Sequence, residues 1–380
     1  MDFELNSNLE IENFRKSVRA WIKENSDGIS VHQLSILLAS KGWIVPSWDL
    51  KHGGAGLTSD HAEAIKLELD EIGFVNPQEN NVRVASAVYE WGTDLQRETI
   101  CPELLKSSNG IYRWMFEGEV VSDPSIVDIR GKKEGDGYIL SGGGLFIASL
   151  DKANYIWVLA VTEVDLPPHR SLTAFLVPSN SEGVNFHSSD SIIGNSSKKV
   201  LFDDVQVIDS LRIGPPGDGW AVVQSTFETE NEADRSLVRR KVMVSNLVDY
   251  IKTKVKGKKS AFTYKQIRQK VIDSYIDNKV LELLKMRNKW MRSIDKSITY
   301  ESAQYAVISK EKHTKLADTV LDTMGPYSLI TDTKWAPMEG EAEEFQREAL
   351  PGMGPDGDLY IQERLMSNRL GLKNNLEDED

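Results

Sequence analysis

The glycine-rich segment His52-Gly53-Gly54-Ala55-Gly56-Leu57-Thr58 is the first stretch whose residue types could do chemistry. Closely spaced glycines let backbone N–H groups approach a phosphate, as they do in nucleotide-binding loops. However, no strand of suitable length precedes this segment, and no Gly-Lys-Ser/Thr sequence follows it. We therefore predict a tight connector between two helices and not a phosphate-binding loop.

Metal and nucleophile chemistry are also poorly supported by the sequence. The six histidines show no spacing typical of metal ligands, so we predict no metal site. No nucleophile-elbow motif marks a Ser-His-Asp site. Cys101 is the single cysteine and cannot form an internal disulfide, which fits a reducing compartment.

Size and charge exclude further classes of protein. The 380 residues suffice for two or three domains with separate cores. A net charge of -13, from 45 basic and 58 acidic residues, disfavours a general nucleic-acid-binding protein. No apolar run approaches the roughly 20 residues of a membrane span, and no signal peptide is evident. We predict a cytoplasmic protein that binds neither nucleic acid nor membrane.

The elements that must position any site fall into three regions. Short β-branched and aromatic runs separated by turn residues lie between Ile111 and Gly219, which is typical of an antiparallel barrel or sandwich. Helical periodicity precedes and follows this region, with Val18 and Ile22 on one apolar face, a second helix over Ser30 to Lys41 and a later helix that stops at Gly325-Pro326. The lysine-rich segment from Lys252 to Lys259 is predicted to be a solvated loop. The sequence thus predicts an α+β protein with an N-terminal helical domain (1–110), a middle β-domain (111–215), a C-terminal four-helix bundle (216–372) and an acidic tail (373–380).

Several motifs in this order resemble the acyl-CoA dehydrogenase family. Gly135-Asp136-Gly137-Tyr138-Ile139-Leu140-Ser141-Gly142 is similar to the family's gly-asp-gly-tyr-val-leu-asn-gly, and Phe175-Leu176-Val177-Pro178 matches its phe-leu-val-pro. Phe202-Asp203-Asp204-Val205-Gln206-Val207 also matches the family pattern, as do Gly42-Trp43 to Leu57 and Gly217-Asp218-Gly219-Trp220. The resemblance covers about Phe14 to Leu372, and it is more specific for fold than for function.

The resemblance implies a flavoprotein that uses FAD to oxidise an acyl-CoA thioester. A carboxylate removes the α-proton, and the β-hydride passes to the flavin, which then reduces an electron-transfer flavoprotein. The resemblance also implies a homotetramer, or a heterotetramer with a related acyl-CoA dehydrogenase subunit. Because the α-proton of a thioester is weakly acidic, the base needs a dry pocket that raises its pKa.

The segments that resemble the family's flavin site are altered here. Phe116-Glu117-Gly118-Glu119-Val120-Val121-Ser122-Asp123 is one residue shorter than the family segment, and Glu117 replaces a hydroxyl residue. Gly142-Gly143-Gly144-Leu145-Phe146-Ile147-Ala148 aligns with gly-x-lys-x-trp-ile-thr. The resemblance assigns six residues to the flavin site: Phe116, Glu117, Ser122, Phe146, Ile147 and Ala148. Phe146 would lie beside the flavin ring, and Ala148 would contribute only its backbone N–H.

Two carboxylates occupy the positions of the family's catalytic base. Glu230, followed by Asn231, fills the place of a glu-arg pair, and Asp356 in Asp356-Gly357-Asp358 fills the place of glu-gly-thr. Both have simpler interpretations, since Glu230 stands in an acidic helical cluster and Asp356 suits a turn. Both therefore remain candidates for the base, and the third alternative is that neither residue has this role.

The C-terminal segments are the remaining cofactor candidates. In the family, the adenosine half of the flavin is bound across the subunit interface by such segments. The residues assigned here are Asp322, Gly325, Asp358 and Gln362. Arg235, Arg239 and Arg240 could attract the phosphates of CoA, but we expect ordinary solvated helix charges.

Four functional interpretations follow. The first is an acyl-CoA dehydrogenase with its own flavin. The second is a half-site or non-catalytic partner subunit, which the shortened segment from Phe116 and the residues Gly144 and Ala148 favour. The third is a protein that binds CoA esters without redox activity, and the fourth is an oxidase or monooxygenase. The acyl group is not evident from the sequence.

Overall fold

The structure is a computed structural model, and it describes residues 9–114, 127–148, 152–167, 170–188, 197–230, 235–253, 255–256, 259–260, 265–294, 296–349 and 359–372. These residues form two units that are described separately. The first unit contains the described residues up to 230, and the second contains those from 235 onward.

Helices of the first unit flank a sheet. The helices are α1 (Leu9–Ser26), α2 (Val31–Ser40), α3 (Ser59–Glu71), α4 (Glu79–Trp91), α5 (Asp94–Lys106) and α6 (Gly219–Glu230). The strands are β1 (Gly110–Trp114), β2 (Arg130–Glu134), β3 (Gly137–Ala148), β4 (Ala153–Val161), β5 (Leu172–Pro178), β6 (Val184–Ser188), β7 (Ser197–Ile208) and β8 (Arg212–Ile213).

Helices α1 and α3 pack through the apolar face that the sequence predicts. Val18 and Ile22 of α1 are buried against Ile65 of α3. The carboxylate of Glu68, which is almost fully buried, accepts hydrogen bonds from Arg15 and from Arg19 Nε at 2.6 Å. These charge-assisted hydrogen bonds between one buried carboxylate and two guanidinium groups fix the pairing of the two helices.

Helix α2 begins at a capping box. The Oγ atom of Ser30 accepts a bond from the backbone N–H of Gln33 at 3.2 Å, while Gln33 Oε1 accepts one from the N–H of Ser30 at 2.9 Å. This reciprocal pair satisfies donors that the first helical turn leaves free. The predicted helix from Ser30 to Lys41 is therefore confirmed.

The sheet has the order β6-β7-β3-β1-β4-β5-β8, and β2 pairs with both β3 and β4. Strands β1 and β2 thus share the space between β3 and β4, each along a different part of their length. The predicted antiparallel pairing holds for most neighbours, but β4 pairs in parallel with both β1 and β2. At least one other strand lies in the chain between β4 and each of these partners, so no hairpin dictates their direction.

The sheet's core lies along β4 and β5. Residues 156–161 and 172–177 are buried without alternation, because both faces of these strands are covered. Helix α6 packs against β5 and also against α4. The position of α6 is therefore set by two elements that are distant from it in the sequence.

The second unit is a helical bundle. It contains α7 (Arg235–Thr253), α8 (Lys265–Ser293), α9 (Glu301–Met324), α10 (Glu341–Ala349), α11 (Leu359–Arg369) and a short ladder of β9 (Val255–Lys256) with β10 (Lys259–Ser260). Helix α9 contacts α7, α8, α10 and α11. The ladder occupies the lysine-rich segment for which the sequence predicts only a solvated loop. Within the described parts of the chain, no helix combines the length and apolar character needed to cross a membrane.

Candidate functional site

Several of the predicted site residues lie outside the described residues. These are Phe116, Glu117, Ser122, Asp356 and Asp358. Their roles stay predictions. The described candidate residues lie at the end of β3 and the end of α6 in the first unit and, separately, in and after α9 and in α11 of the second unit.

The end of β3 is held between two other strands. Phe146 pairs with Trp114 of β1 and Lys198 of β7, and Ala148 pairs with Tyr112. The Phe146 side chain is fully buried, and its ring lies 6.0 Å from that of Phe202 in an edge contact. Because the protein already covers this ring, its geometry favours a core role over stacking on a cofactor. For Ile147 and Ala148, the structure gives the strand register.

Glycines 142 and 143 make the close approach of β3 to its neighbours possible. Gly142 has a φ of +119°, and a side chain there would clash with the carbonyl oxygen of Asp128. A Cβ at Gly143 would lie 2.5 Å from Leu201 Cδ2 and 2.9 Å from the carbonyl oxygen of Val200. These glycines therefore have a packing role within the sheet, which the family alignment alone did not indicate.

Glu230 is the last residue of α6, and the body of this helix is firmly anchored. Just before the helix begins, the N–H of Gly217 donates to Thr173 Oγ1 of β5 at 3.1 Å, and Val222 within the helix is fully buried. The indole N–H of Trp91 in α4 donates to Ser225 Oγ at 3.1 Å. The backbone position of Glu230 therefore depends on β5 and α4.

The turn after α9 contains one predicted cofactor residue, Gly325. Helix α9 stops before Gly325, as predicted, and Gly325 has a φ of +60° with open space where a Cβ would be. Ser328 Oγ donates to the Gly325 carbonyl at 2.8 Å, and Gln346 Nε2 donates to the Ser328 carbonyl at 3.0 Å. These bonds fix the turn on α10, while Tyr327 stays 61% exposed.

The other two C-terminal candidates have separate surroundings. Asp322 of α9 forms an ion pair with Lys270 of α8 on the surface of the bundle. Gln362 lies in α11, which packs against α9. The described contacts thus provide a local structural role for Asp322, and its assignment to cofactor binding stays a prediction.

One of the three arginines expected to be solvated is completely buried. Arg240 Nη1 donates to the Ser309 carbonyl at 2.9 Å, and Nη2 donates to Ser309 Oγ at 3.0 Å. The expectation of a solvated charge was wrong for Arg240, since it lies on the face of α7 that also carries the buried Val244 and Leu247. Arg239 instead lies 3.7 Å from Glu344 of α10.

The glycine-rich segment near residue 53 is a connector. A Cβ at Gly54 would clash with the Trp48 carbonyl oxygen, and Gly42 would clash with Gly54 in the same way. Trp48 stacks on Tyr89 of α4, with ring centroids 4.1 Å apart. The backbones in this region are packed against each other, which agrees with the prediction from the sequence.

The remaining candidate groups provide little additional chemistry. Burial raises the pKa of the Cys101 thiol to about 12, so this group stays protonated near neutral pH. In the residues that the structure describes, no three His, Cys, Asp or Glu side chains are grouped to hold a metal ion. The carboxylates at the two predicted base positions therefore remain the main chemical candidates.

Comparison with known proteins extends these observations. No protein-family model matches the chain. Acyl-CoA dehydrogenase IpdE1 of Mycolicibacterium smegmatis is 23% identical over 376 residues, covering 89% of this chain and 91% of that protein. The solved Tcur3481-Tcur3483 steroid ACAD has a TM-score of 0.81 at 18% identity, covering 96% of this chain and 97% of that chain. The ChsE4-ChsE5 complex from Mycobacterium tuberculosis gives a TM-score of 0.78 at 18% identity, with coverage of 96% and 98%.

The solved structures share the order of helices, central sheet and helical bundle along almost the whole chain, which confirms the predicted fold. The similarity to IpdE1 also extends over most of this chain. The chain therefore has the acyl-CoA dehydrogenase fold, and its sequence is similar along nearly its whole length to a named acyl-CoA dehydrogenase, as that of a diverged member of this family would be.

Proposed function

We propose that the chain takes part in the flavin-dependent α,β-desaturation of an acyl-CoA thioester, with FAD as cofactor, within an assembly of acyl-CoA dehydrogenase subunits. The observation that carries this proposal is the anchoring of α6. The family resemblance assigns the base position to its last residue, Glu230. A bond from Trp91 joins the helix to α4, and a bond from Gly217, just before the helix, to Thr173 joins its start to β5. A base attached to a fixed helix keeps its distance from the substrate's α-carbon.

The protein's own groups have two tasks in this reaction. The carboxylate of Glu230 accepts the α-proton, and Asp356 is the alternative base. Bound FAD would supply the hydride acceptor. Hydrogen-bond donors near the thioester carbonyl stabilise the negative charge that develops on its oxygen. An electron-transfer flavoprotein then serves as the oxidant, as the family resemblance implies.

The described residues fit FAD in part. The turn at Gly325 leaves open space, is fixed by Ser328 and exposes Tyr327, so it suits the adenosine half of a flavin bound mainly by another subunit. The end of β3 offers less, because Phe146 is already buried and Ala148 has no hydroxyl. This contrast supports a chain that contributes to a shared flavin site.

The second candidate function is therefore a partner subunit that holds only half of a flavin site. Two of the similar structures carry names that pair two chains, Tcur3481-Tcur3483 and ChsE4-ChsE5. By analogy, this chain would join a related subunit, and a steroid-derived acyl-CoA would be one substrate to assay. The buried Phe146 is the observation that favours this alternative.

The visible absorption spectrum of the purified chain, alone and co-expressed with a related subunit, tests both candidates. About one flavin per chain in the protein alone would support an independent dehydrogenase. A colourless chain that forms a yellow complex only with its partner, with about half a flavin per chain, would support the partner subunit. No flavin in either preparation would refute both.

A carboxylate comparison then identifies the base. We expect Glu230→Gln to lower kcat by about 10²–10⁴-fold while flavin content stays unchanged. Glu228→Gln is the matched control, since its position lies about 200° around α6 and should retain activity. Loss of activity in Asp356→Asn but not in Glu230→Gln would transfer the role to Asp356.

A further inference from the structure

Helix α4 carries a buried ion pair. Arg83 is 8% exposed, and its Nη2 atom donates to Oε1 of Glu79, one turn earlier in the helix. The side chain of Glu79 is 16% exposed. Taking two charged groups out of water is costly, and their mutual attraction often offsets this cost only in part. Because both partners belong to the same helix, this bond does not itself join α4 to a neighbouring element, which favours a role toward a ligand.

Helix α6 packs along α4, and its direction follows from Trp91. A Cβ at Gly214 would lie 2.7 Å from Val222 Cγ2 and 3.7 Å from Trp91 Cβ, whereas the indole N–H of Trp91 donates to Ser225. Long side chains in a helix lean toward its N-terminus. The indole therefore extends backward along α4 while it passes forward along α6 from Val222 to Ser225. The two helices thus run antiparallel.

This orientation places the end of α6 beside Arg83. Arg83 lies about 12 Å before Trp91 along α4, and Glu230 lies about 7.5 Å after Ser225 along α6. Since the indole of Trp91 itself reaches several ångströms toward the start of α4, the backbone positions of Arg83 and Glu230 are about level. Arg83 also lies about 80° around α4 from Trp91, at the edge of the face that meets α6.

We propose that Arg83 and Glu79 recognise an uncharged oxygen function, a hydroxyl or a keto group, on the acyl group of the substrate. This inference rests on the proposed function, because an acyl-CoA must bind beside Glu230. A guanidinium group only donates hydrogen bonds, and an ionised carboxylate only accepts them. Arg83 can therefore donate to a keto oxygen, and the pair together can bond a hydroxyl group as donor and as acceptor. Packed helices lie about 8–10 Å apart, so this oxygen would lie within about 10 Å of the α-carbon.

The charges of the pair decide which acyl groups fit. Arg83 and Glu79 together have no net charge, so they offer no excess positive charge to a carboxylate on the acyl group, and Glu79 would repel one. A hydrocarbon acyl group would exclude water from both charged side chains and return no hydrogen bond. Sites that bond a substrate hydroxyl discriminate strongly against the analogue without it. An uncharged oxygen is therefore the function that this pair favours.

Calorimetric titration of the full chain, in the assembly in which it purifies, tests this recognition without turnover. The probes are S-octyl-CoA, its derivatives with one hydroxyl or keto group at each carbon from the fourth to the seventh, and its derivative with a terminal carboxylate. These thioethers have no carbonyl to acidify an α-proton, so they are not oxidised. We expect at least one oxygenated probe to bind about tenfold more tightly than S-octyl-CoA, and the carboxylate probe to gain nothing. If no oxygenated probe binds more tightly, the proposal is overturned.

Two variants assign the preference to the ion pair. Arg83→Met should bring the oxygenated probes to within about twofold of S-octyl-CoA. Glu79→Gln should weaken the preference for hydroxyl probes and improve binding of the carboxylate probe, because Arg83 then keeps an excess positive charge. Arg130→Met is the matched control, since Arg130 is exposed on β2 of the same unit and should keep the native preference.

Circular dichroism melting shows which variants are folded. A folded Arg83→Met protein that keeps the native preference would overturn the assignment. If Arg83→Met does not fold, unchanged binding of the hydroxyl and carboxylate probes to Glu79→Gln would overturn it instead.

The outcomes also separate this inference from the proposed function. A preference for oxygenated probes in an assembly that desaturates no acyl-CoA would support the recognition by Arg83 and refute the proposed function. Desaturation of octanoyl-CoA without any preference among the probes would overturn the recognition alone.

Discussion

The buried Arg240 allows a quantitative prediction about the helical bundle. Its guanidinium joins α7 to α9 through the carbonyl and the hydroxyl of Ser309, at 2.9 and 3.0 Å. Both residues lie in the interior, with Arg240 fully buried and Ser309 7% exposed. The proposed changes are Ser309→Ala, Arg240→Met and the two together, because methionine keeps most of the side-chain volume.

The magnitudes follow from what each change leaves unsatisfied. Ser309→Ala removes one acceptor from a buried charged donor and should lower the free energy of unfolding by about 2 kcal/mol. Arg240→Met removes both hydrogen bonds to Ser309 and should cost about 2–3 kcal/mol. In the double variant the charge and the hydroxyl are both gone, so we expect it to cost about 1–2 kcal/mol less than the sum.

Urea denaturation followed by circular dichroism measures these free energies of unfolding. The slope of the free energy against urea concentration is compared between variants, because a changed slope would show that the unfolding transition itself has changed. Ser40→Ala is the control, because the hydroxyl of this exposed serine donates to the Ile36 carbonyl within its own helix, and its loss should change stability by less than about 0.5 kcal/mol. If the costs of Ser309→Ala and Arg240→Met were additive within about 0.5 kcal/mol, the assigned bond between the two side chains would be refuted.

Three further predictions concern the first unit. Hydrogen bonds from Arg19 and Arg15 lower the pKa of Glu68 below its usual value of 4.5. The stability that the ionised carboxylate contributes to the fold is therefore present above pH 4.5 and is lost as pH falls through the lowered pKa. The stability difference between the native protein and Glu68→Gln, measured by urea midpoints, should thus shrink from pH 7 to pH 4, and a constant difference would contradict the ion pair. Gly54→Ala should lower the thermal midpoint by several degrees through its clash with the Trp48 carbonyl, and an unchanged midpoint would count against this packing. Cys101 should resist alkylation at pH 8 until the protein unfolds, because burial raises its pKa to about 12, and rapid labelling of folded protein would exclude this environment.

Local sequence signals predicted the ends of several helices. Ser30 begins α2 because its side chain and that of Gln33 complete the first turn, and both residues lie within four positions. Gly325 ends α9 because its φ of +60° suits glycine. In both cases the deciding interactions are close in the chain, so the sequence contains them directly.

Long-range pairing was less accessible from the sequence. Gln96 Nε2 of α5 donates to the carbonyls of Ser210 and Arg212, both at 2.8 Å, and so connects the helix to the edge of the sheet. No local pattern reveals this contact. The parallel pairing of β1 with β4 was missed for the same reason, since strand patterns do not encode which strands are neighbours.

The candidate site shows the same division between residue type and position. Motif order predicted Glu230 as a base candidate, but its placement depends on bonds made by Trp91 and Thr173 elsewhere in the chain. The burial of Phe146 depends on Phe202 of another strand. A family alignment therefore identifies which residue types are available, whereas tertiary contacts decide whether a side chain can reach a ligand.

Helix α8 shows why a single helical face can be misassigned. Ile267, Val271 and Tyr275 are spaced four apart and suggest one apolar face, yet Val271 is buried and Tyr275 is 54% exposed. Because 3.6 residues make one turn, each step of four residues advances about 40° around the helix, and two steps reach the outer side. The apolar row continues there through Leu283, so the sequence describes two faces and not one. Within the described residues, the bundle covers the face that carries Val271 and leaves the face with Tyr275 and Leu283 exposed.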